Sequence, residues 1–235
     1  MRRFMARGAV IVVALALLGA TAAPASATSS TFMRWKFAFD LRNHPDHNPF
    51  PSAFGRPSAW SLRQSQSLQR DGNYPLLRLY SSKFGSGGLK AWHGNNSGSC
   101  VRLPAIGVNT TVNPLPLCSG LVPGSAAFVV PSATHMPVVA WTSPYDGAIT
   151  ISHDAVSDID RTCGDGVDYY VDSGTAQLAA VAVANGGGTT LPSMDVPVKK
   201  GQSLYFIVDA GPNHNSSCDA TQLQITIDGV VTQTP

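Results

Sequence analysis

The chain has 235 residues, a formal net charge of +2, 43% hydrophobic residues and no glutamate. Three positive charges, Arg2, Arg3 and Arg7, sit at the start; from residue 28 onward 5 Lys and 8 Arg face 14 Asp, a net charge of −1. That balance excludes the basic surface nucleic-acid binding requires, and any acid–base pair must use Asp, which is unusual for a β-rich glycosidase.

Residues 1–27 have the layout of a secretory signal: a positive start, an apolar run from Gly8 to Ala20, and a small-residue cleavage site at Ala25-Ser26-Ala27. The run is too short for a comfortable membrane span, and no later segment of the mature chain is long and apolar enough for one. Phe4 follows the arginine pair directly, which is the wrong spacing for twin-arginine export, so general secretion is expected. Residues 28–235 are expected to form a single secreted, extracellular domain, with 28–31 as a short disordered tail.

The predicted strands are Arg34–Phe39, Ala59–Gln64, Leu76–Ser81, Ser125–Val130, Pro137–Trp141 and Ala148–Ser152. They continue with Val167–Asp172, Gln177–Ala184, Met194–Val198, Ser203–Asp209 and Gln222–Asp228. Ala148-Ile-Thr-Ile-Ser152 and Leu223-Gln-Ile-Thr-Ile227 alternate with period two, so one face of each is apolar and the other wet. Leu204-Tyr-Phe-Ile-Val208 is apolar on both faces and suits a more buried strand. Pro144-Tyr-Asp-Gly147 and Asn185-Gly-Gly-Gly188 are turns by composition. No helix longer than about a turn is expected. Many short strands with turns between them predict an all-β fold: a single antiparallel β-sandwich, jelly-roll-like.

Four cysteines in an exported chain imply two disulfides. They allow three pairings. Cys100–Cys118 would tie a local Pro/Asn-rich loop and Cys163–Cys218 would staple a turn to a C-terminal loop; this pairing is favoured. No Cys sits in a recognisable nucleophile context.

The stretch Val139-Ala-Trp141-Thr-Ser-Pro144, completed by Gly147-Ala-Ile-Thr-Ile-Ser152, resembles the strand–turn–strand unit of bacterial secreted carbohydrate-binding-like β-sandwich (jelly-roll) modules. Such modules stand alone or beside glycoside hydrolases and polysaccharide lyases. Gly164-Asp-Gly-Val167, Val198-Lys-Lys-Gly201 with Leu204-Tyr-Phe206-Ile-Val-Asp209, and Cys218-Asp219-Ala-Thr221 are similar to their later motifs. Gln202 departs from the pattern, which often has Asp there. The resemblance covers most of the mature chain and is strongest from about residue 126. It implies the sandwich fold and, as a use, sugar binding.

Sugar rings present C–H faces that stack on Trp and Tyr, while polar side chains bond the hydroxyls. The ligand-binding candidates are Trp92 in a polar, loop-like context, Tyr145 in a turn, and Tyr169 and Tyr170, which point to opposite faces if they lie in a strand. Trp35, Trp60 and Trp141 read as core. Asp158, Asp160 and Asp165 alternate in a Gly-containing loop, where Asp supplies oxygen ligands to calcium. The favoured reading of the same loop is a solvated turn in which Asp caps backbone N–H groups and Arg161 pairs locally. No cofactor is required; calcium is the one these residues suggest. His44-Pro-Asp46-His47 has metal-ligand residue types without a zinc spacing and reads as a polar loop. No G-x-S-x-G elbow occurs. The expected function is a non-catalytic module whose partner is an extracellular polysaccharide or cell-wall glycan. The alternative is a structural or protein-interaction sandwich meeting a cell-surface protein, and a small polysaccharide-cleaving enzyme is the third reading.

Overall fold

The computed structural model describes residues 29–52, 59–160 and 163–233. The expected signal segment, 1–27, lies outside the described residues, as does Arg161. The elements begin with β1 (Ser29–Lys36), α1 (Phe37–Asn43), β2 (Trp60–Gln64), β3 (Leu79–Ser81), β4 (Leu89–Ser97) and β5 (Arg102–Asn109). They go on with β6 (Leu115–Leu117), β7 (Gly120–Val122), β8 (Ala127–Val130), β9 (Pro137–Thr142), β10 (Gly147–Asp158) and β11 (Val167–Ser173). The last are β12 (Ala176–Val183), β13 (Gly188–Leu191), β14 (Met194–Val198), β15 (Ser203–Asp209) and β16 (Thr221–Gln233).

All pairings are antiparallel. The larger sheet runs β13-β10-β16-β8-β5-β4-β3, with β1 added on β16 and β14 on β10; the smaller runs β12-β11-β15-β9-β2. β6 and β7 form a separate hairpin. Alternation places Leu204, Phe206 and Val208 of β15 and Val139 and Trp141 of β9 in the interior, opposite Ile106, Ile149, Ile151, Leu223, Ile225 and Ile227 of the larger sheet. Trp35, Trp60 and Trp141 are fully buried, and Trp35 meets Trp141 edge-on at 5.3 Å. Truncating any one of these tryptophans to Ala would cost roughly 3–5 kcal/mol.

Smaller apolar clusters lie on the outer faces. Leu117 and Val122 of the hairpin pack on Leu89, Ala105 and Phe128 of the larger sheet. Tyr74 packs with Met136, Val138 and Ile207 on the smaller sheet. This second layer is why β15 is apolar on both faces. The disulfides are Cys100–Cys118 and Cys163–Cys218, the favoured pairing.

Three expectations are corrected. The predicted strand Arg34–Phe39 ends at Lys36 and gives way to a seven-residue helix. Phe37, Asp40 and Leu41 are its buried side, a helical spacing, and Asp40 Oδ2 accepts both Lys36 N–H (3.2 Å) and the indole Nε1–H of Trp60 (3.0 Å). The expected tail at 28–31 is strand from Ser29, paired continuously with β16 from Ser29↔Gln233 to Lys36↔Thr226. The polar stretch around Trp92 is not a loop but the centre of β4, held between β3 and β5. Among the described residues no helix is long and apolar enough to cross a membrane.

Candidate functional site at the β3 edge

β4 pairs Trp92 with Ile106 and Lys90 with Val108, so both side chains share the face of the larger sheet that turns toward the smaller one. Tyr80 of β3 is opposite Trp92 and joins that face. The two half-buried rings lie 5.3 Å apart, tilted by 42°. This edge is also where the chain passes from the smaller sheet, through Leu77, to β3.

The His44-Pro-Asp46-His47 segment closes over the ring pair. Trp92 Nε1–H donates to Pro45 O at 3.0 Å. Asn48 fastens the segment from the other side: its Nδ2 donates to Leu62 O (2.8 Å) and Leu77 O (2.9 Å), and its Oδ1 accepts Leu62 N–H (2.8 Å). All three bonds join the Asn48 side chain to the backbone of Leu62 in β2 and of Leu77, so this one side chain fixes the segment.

The polar groups remain outside. Asp46 and His47 keep side-chain exposures of 60% and 61% and touch through Oδ1 and Nδ1 at 3.0 Å. Its own backbone N–H first, then His47, hold the Asp46 carboxyl below the usual carboxylate range. Burial, with the Asp46 charge behind it, raises the Tyr80 hydroxyl. This edge therefore offers two half-buried rings, the Asp46 carboxyl, the His47 ring and the Lys90 side chain. Such a set can stack on and hydrogen-bond a polyhydroxylated ring.

The other aromatic candidates are placed elsewhere. Tyr145 is buried, stacked on Trp35 at 6.4 Å, with its hydroxyl against Gly229, where a Cβ would lie 1.8 Å from Oη. Tyr169 is fully buried and donates to Asp154 Oδ1 at 2.6 Å. Neither ring presents a face to solvent. Tyr170 points to the outer face of the smaller sheet, as alternation requires, but the Arg70 guanidinium covers its ring at 4.0 Å. Arg70 is itself held by both oxygens of Asp172, at 2.7 and 2.9 Å, and by Gln177 at 2.7 Å.

The aspartates of the predicted calcium loop separate into two kinds. Asp158 and Asp160 are buried; Asp158 accepts Asp160 N–H (2.9 Å) and Gly186 N–H (3.2 Å), while Asp160 accepts Ser119 Oγ–H (2.8 Å) and Ala220 N–H (3.2 Å). Asp165 is exposed and accepts from Asn213 Nδ2 at 2.8 Å. Among the described residues no three His, Cys or Asp side chains converge as a ready-made metal centre. Sequence reasoning singled out neither Tyr80 nor Asn48. The one signal for Tyr80 is its place in a predicted strand ahead of Trp92; the role of Asn48 depends on two backbone segments far along the chain and has no local signature.

No protein-family model and no curated protein sequence matches the chain. Among solved structures, the C-terminal CBM6 of LamC, a marine laminarinase from Zobellia galactanivorans, is 18% identical over 50% of this chain and 89% of its own, with a TM-score of 0.28. A family GH115 4-O-methyl-α-glucuronidase with specificity for decorated arabinogalactans is 12% identical over 49% of this chain and 16% of its own, with a TM-score of 0.30. A β-glucosidase from Kluyveromyces marxianus in complex with glucose is 12% identical over 63% of this chain and 15% of its own, with a TM-score of 0.23. Similarities of this degree assign neither a family nor an activity to the chain.

Proposed function

We propose that the protein is a secreted, non-catalytic module that binds an extracellular polysaccharide or cell-wall glycan at the β3 edge. The observation that supports this is the Trp92–Tyr80 pair lying beside the exposed Asp46–His47 loop. Half-buried rings, Trp92 anchored by its bond to Pro45 O and Tyr80 by its contact with Trp92, stack on a sugar with little further ordering, which is where binding energy is retained. The surrounding carboxylate, imidazole and ammonium exchange water for sugar hydroxyls at small net cost.

The test is a pull-down of residues 28–235 on insoluble polysaccharides together with a glycan array. Retention on at least one glycan is expected. Trp92→Ala should lower that affinity about tenfold or more, as central aromatic anchors do, while circular dichroism shows the sandwich intact. Silence on every glycan, or full retention by Trp92→Ala, overturns the reading, and turnover of the bound glycan overturns its non-catalytic part.

A further inference from the structure

We propose that Asp219 anchors a calcium site at the disulfide-bonded end of the sandwich, with Asp160 and the Ser217 carbonyl supplying further oxygens and water completing the shell. Asp219 is 1% exposed, and neither of its carboxylate oxygens has a hydrogen-bond partner. A buried carboxylate with both oxygens unmatched is among the costliest groups a fold can contain. Asp158, Asp160, Asp165 and Asp209 all lie close enough to act on its charge.

Among the described residues no Lys or Arg is paired with this cluster. The ion pairs of Arg34 and Arg70 are with Asp228 and Asp172. Among the described residues His214 alone approaches, at 3.7 Å from Asp209 Oδ1. A proton on Asp219 would cancel one charge, but it would leave an O–H donor and a carbonyl acceptor still unmatched. A divalent cation answers both problems, because it neutralises charge and takes up the free lone pairs.

The donors select the ion. All four cysteines are consumed in disulfides, and the groups at hand are carboxylate and backbone oxygens. Hard oxygens in irregular loops, with room for waters, suit calcium; magnesium demands a stricter octahedron. The backbone is already bent for close approach. Gly164 has φ +101°, and a Cβ there would meet Ser217 O at 2.8 Å, Asn185 Nδ2 at 3.0 Å and Asp219 Oδ1 at 3.2 Å, so the two oxygens and the Asn185 amide border a space that only glycine leaves open. Asp160, Asp219 and Ser217 also line a depression of about 400 Å³ between the two disulfides, which gives an ion a way in.

The experiment titrates CaCl2 into chelator-treated residues 28–235 by calorimetry, with MgCl2 in parallel, and follows the melting temperature. One ion per chain is expected, with a rise in melting temperature and at least tenfold weaker binding of magnesium. Asp219→Asn should abolish binding. Asp165→Asn removes an exposed charge that acts on Asp219, keeps the fold, and should weaken binding about threefold, so the test stands even if Asp219→Asn does not fold. No heat and no melting shift with millimolar calcium, or unchanged affinity in either variant, overturns the proposal. The site is independent of the glycan reading, and Trp92→Ala should bind calcium as the parent does.

Discussion

At the β3 edge the Asp46 and His47 side chains keep 60% and 61% of their exposure, whereas at the disulfide-bonded end Asp158, Asp160 and Asp219 are at most 3% exposed. Charges of the first kind stay hydrated, cost the fold nothing and can trade water for a ligand. Charges of the second kind weigh on the fold until something neutralises them. The edge is thus suited to recognition with little effect on stability, while the other end should respond to anything that changes its charge or its covalent closure.

The largest effect expected from this contrast is covalent. Cys163–Cys218 closes a separation of 55 residues beside Asp219, and Cys100–Cys118 closes 18. Loop-closure entropy makes the first worth about 4 kcal/mol and the second about 3 kcal/mol. Denaturant unfolding of the Cys163→Ser/Cys218→Ser pair should show the larger loss. A larger loss from the Cys100→Ser/Cys118→Ser pair would break the ranking. Glycan retention by the folded fraction should survive in both.

The next effect is on pH. Burial raises Asp219 to about 8 and Asp158 to about 6, and it raises Asp154, inside the sandwich, to about 6. The ordinary value is 3.8, so between pH 4 and these values the folded chain holds protons that the unfolded chain releases. Stability therefore falls as pH rises through that window and is regained on acidification toward pH 4. The melting temperature of the calcium-free protein should be higher at pH 5 than at pH 8. Asp154→Asn keeps an acceptor for Tyr169 and removes the buried charge. It should add about 1–3 kcal/mol at pH 7 and flatten the curve between pH 4 and 6. A profile that climbs steadily from pH 5 to 8 would show that these carboxylates are matched in solution.

Asn48→Ala tests the edge at a smaller scale. It removes three backbone hydrogen bonds and leaves the Leu62 and Leu77 carbonyls and the Leu62 N–H to find water. The expected loss is about 1–3 kcal/mol, with weaker glycan retention because the Asp46–His47 loop is no longer fixed over Trp92. Full retention by Asn48→Ala would mean that the loop does not contribute to binding.

Periodicity made the smaller sheet and the long C-terminal strands legible. β15 and β14 match their predicted bounds, because Leu204-Tyr-Phe-Ile-Val208 and Met194–Val198 sit between unambiguous turns. β4 and β5 were not legible, since Gly94, Asn95, Asn96, Pro104 and Gly107 break the pattern and tertiary pairing overrides them. The helix was hidden for the converse reason: Phe37-Ala-Phe-Asp-Leu41 is apolar enough to read as strand, and only the burial of Asp40 beneath Trp60 shows the helical period. Trp92 was a candidate from its polar context, and the structure sets it beside Tyr80. Asp219 appeared only as part of a motif, because an unmatched carboxylate is a property of what surrounds it.

The smallest effect concerns Tyr170, whose sequence context favoured it as much as that of Trp92. Its ring already carries Arg70 at 4.0 Å, and Asp172 and Gln177 hold that guanidinium in place. A sugar would have to displace a cation that is tied at three points, whereas at Trp92 it displaces water. Tyr170→Leu should lower stability by about 0.5–1 kcal/mol, the worth of the lost cation–π contact, and leave glycan retention unchanged. Trp92→Ala should lower retention about tenfold or more, and because Trp92 also packs on the core and donates to Pro45 O it should cost stability as well. Loss of retention in Tyr170→Leu with a normal melting curve would move the binding face to the outer side of the smaller sheet, with Arg70 as a ligand-displaced lid.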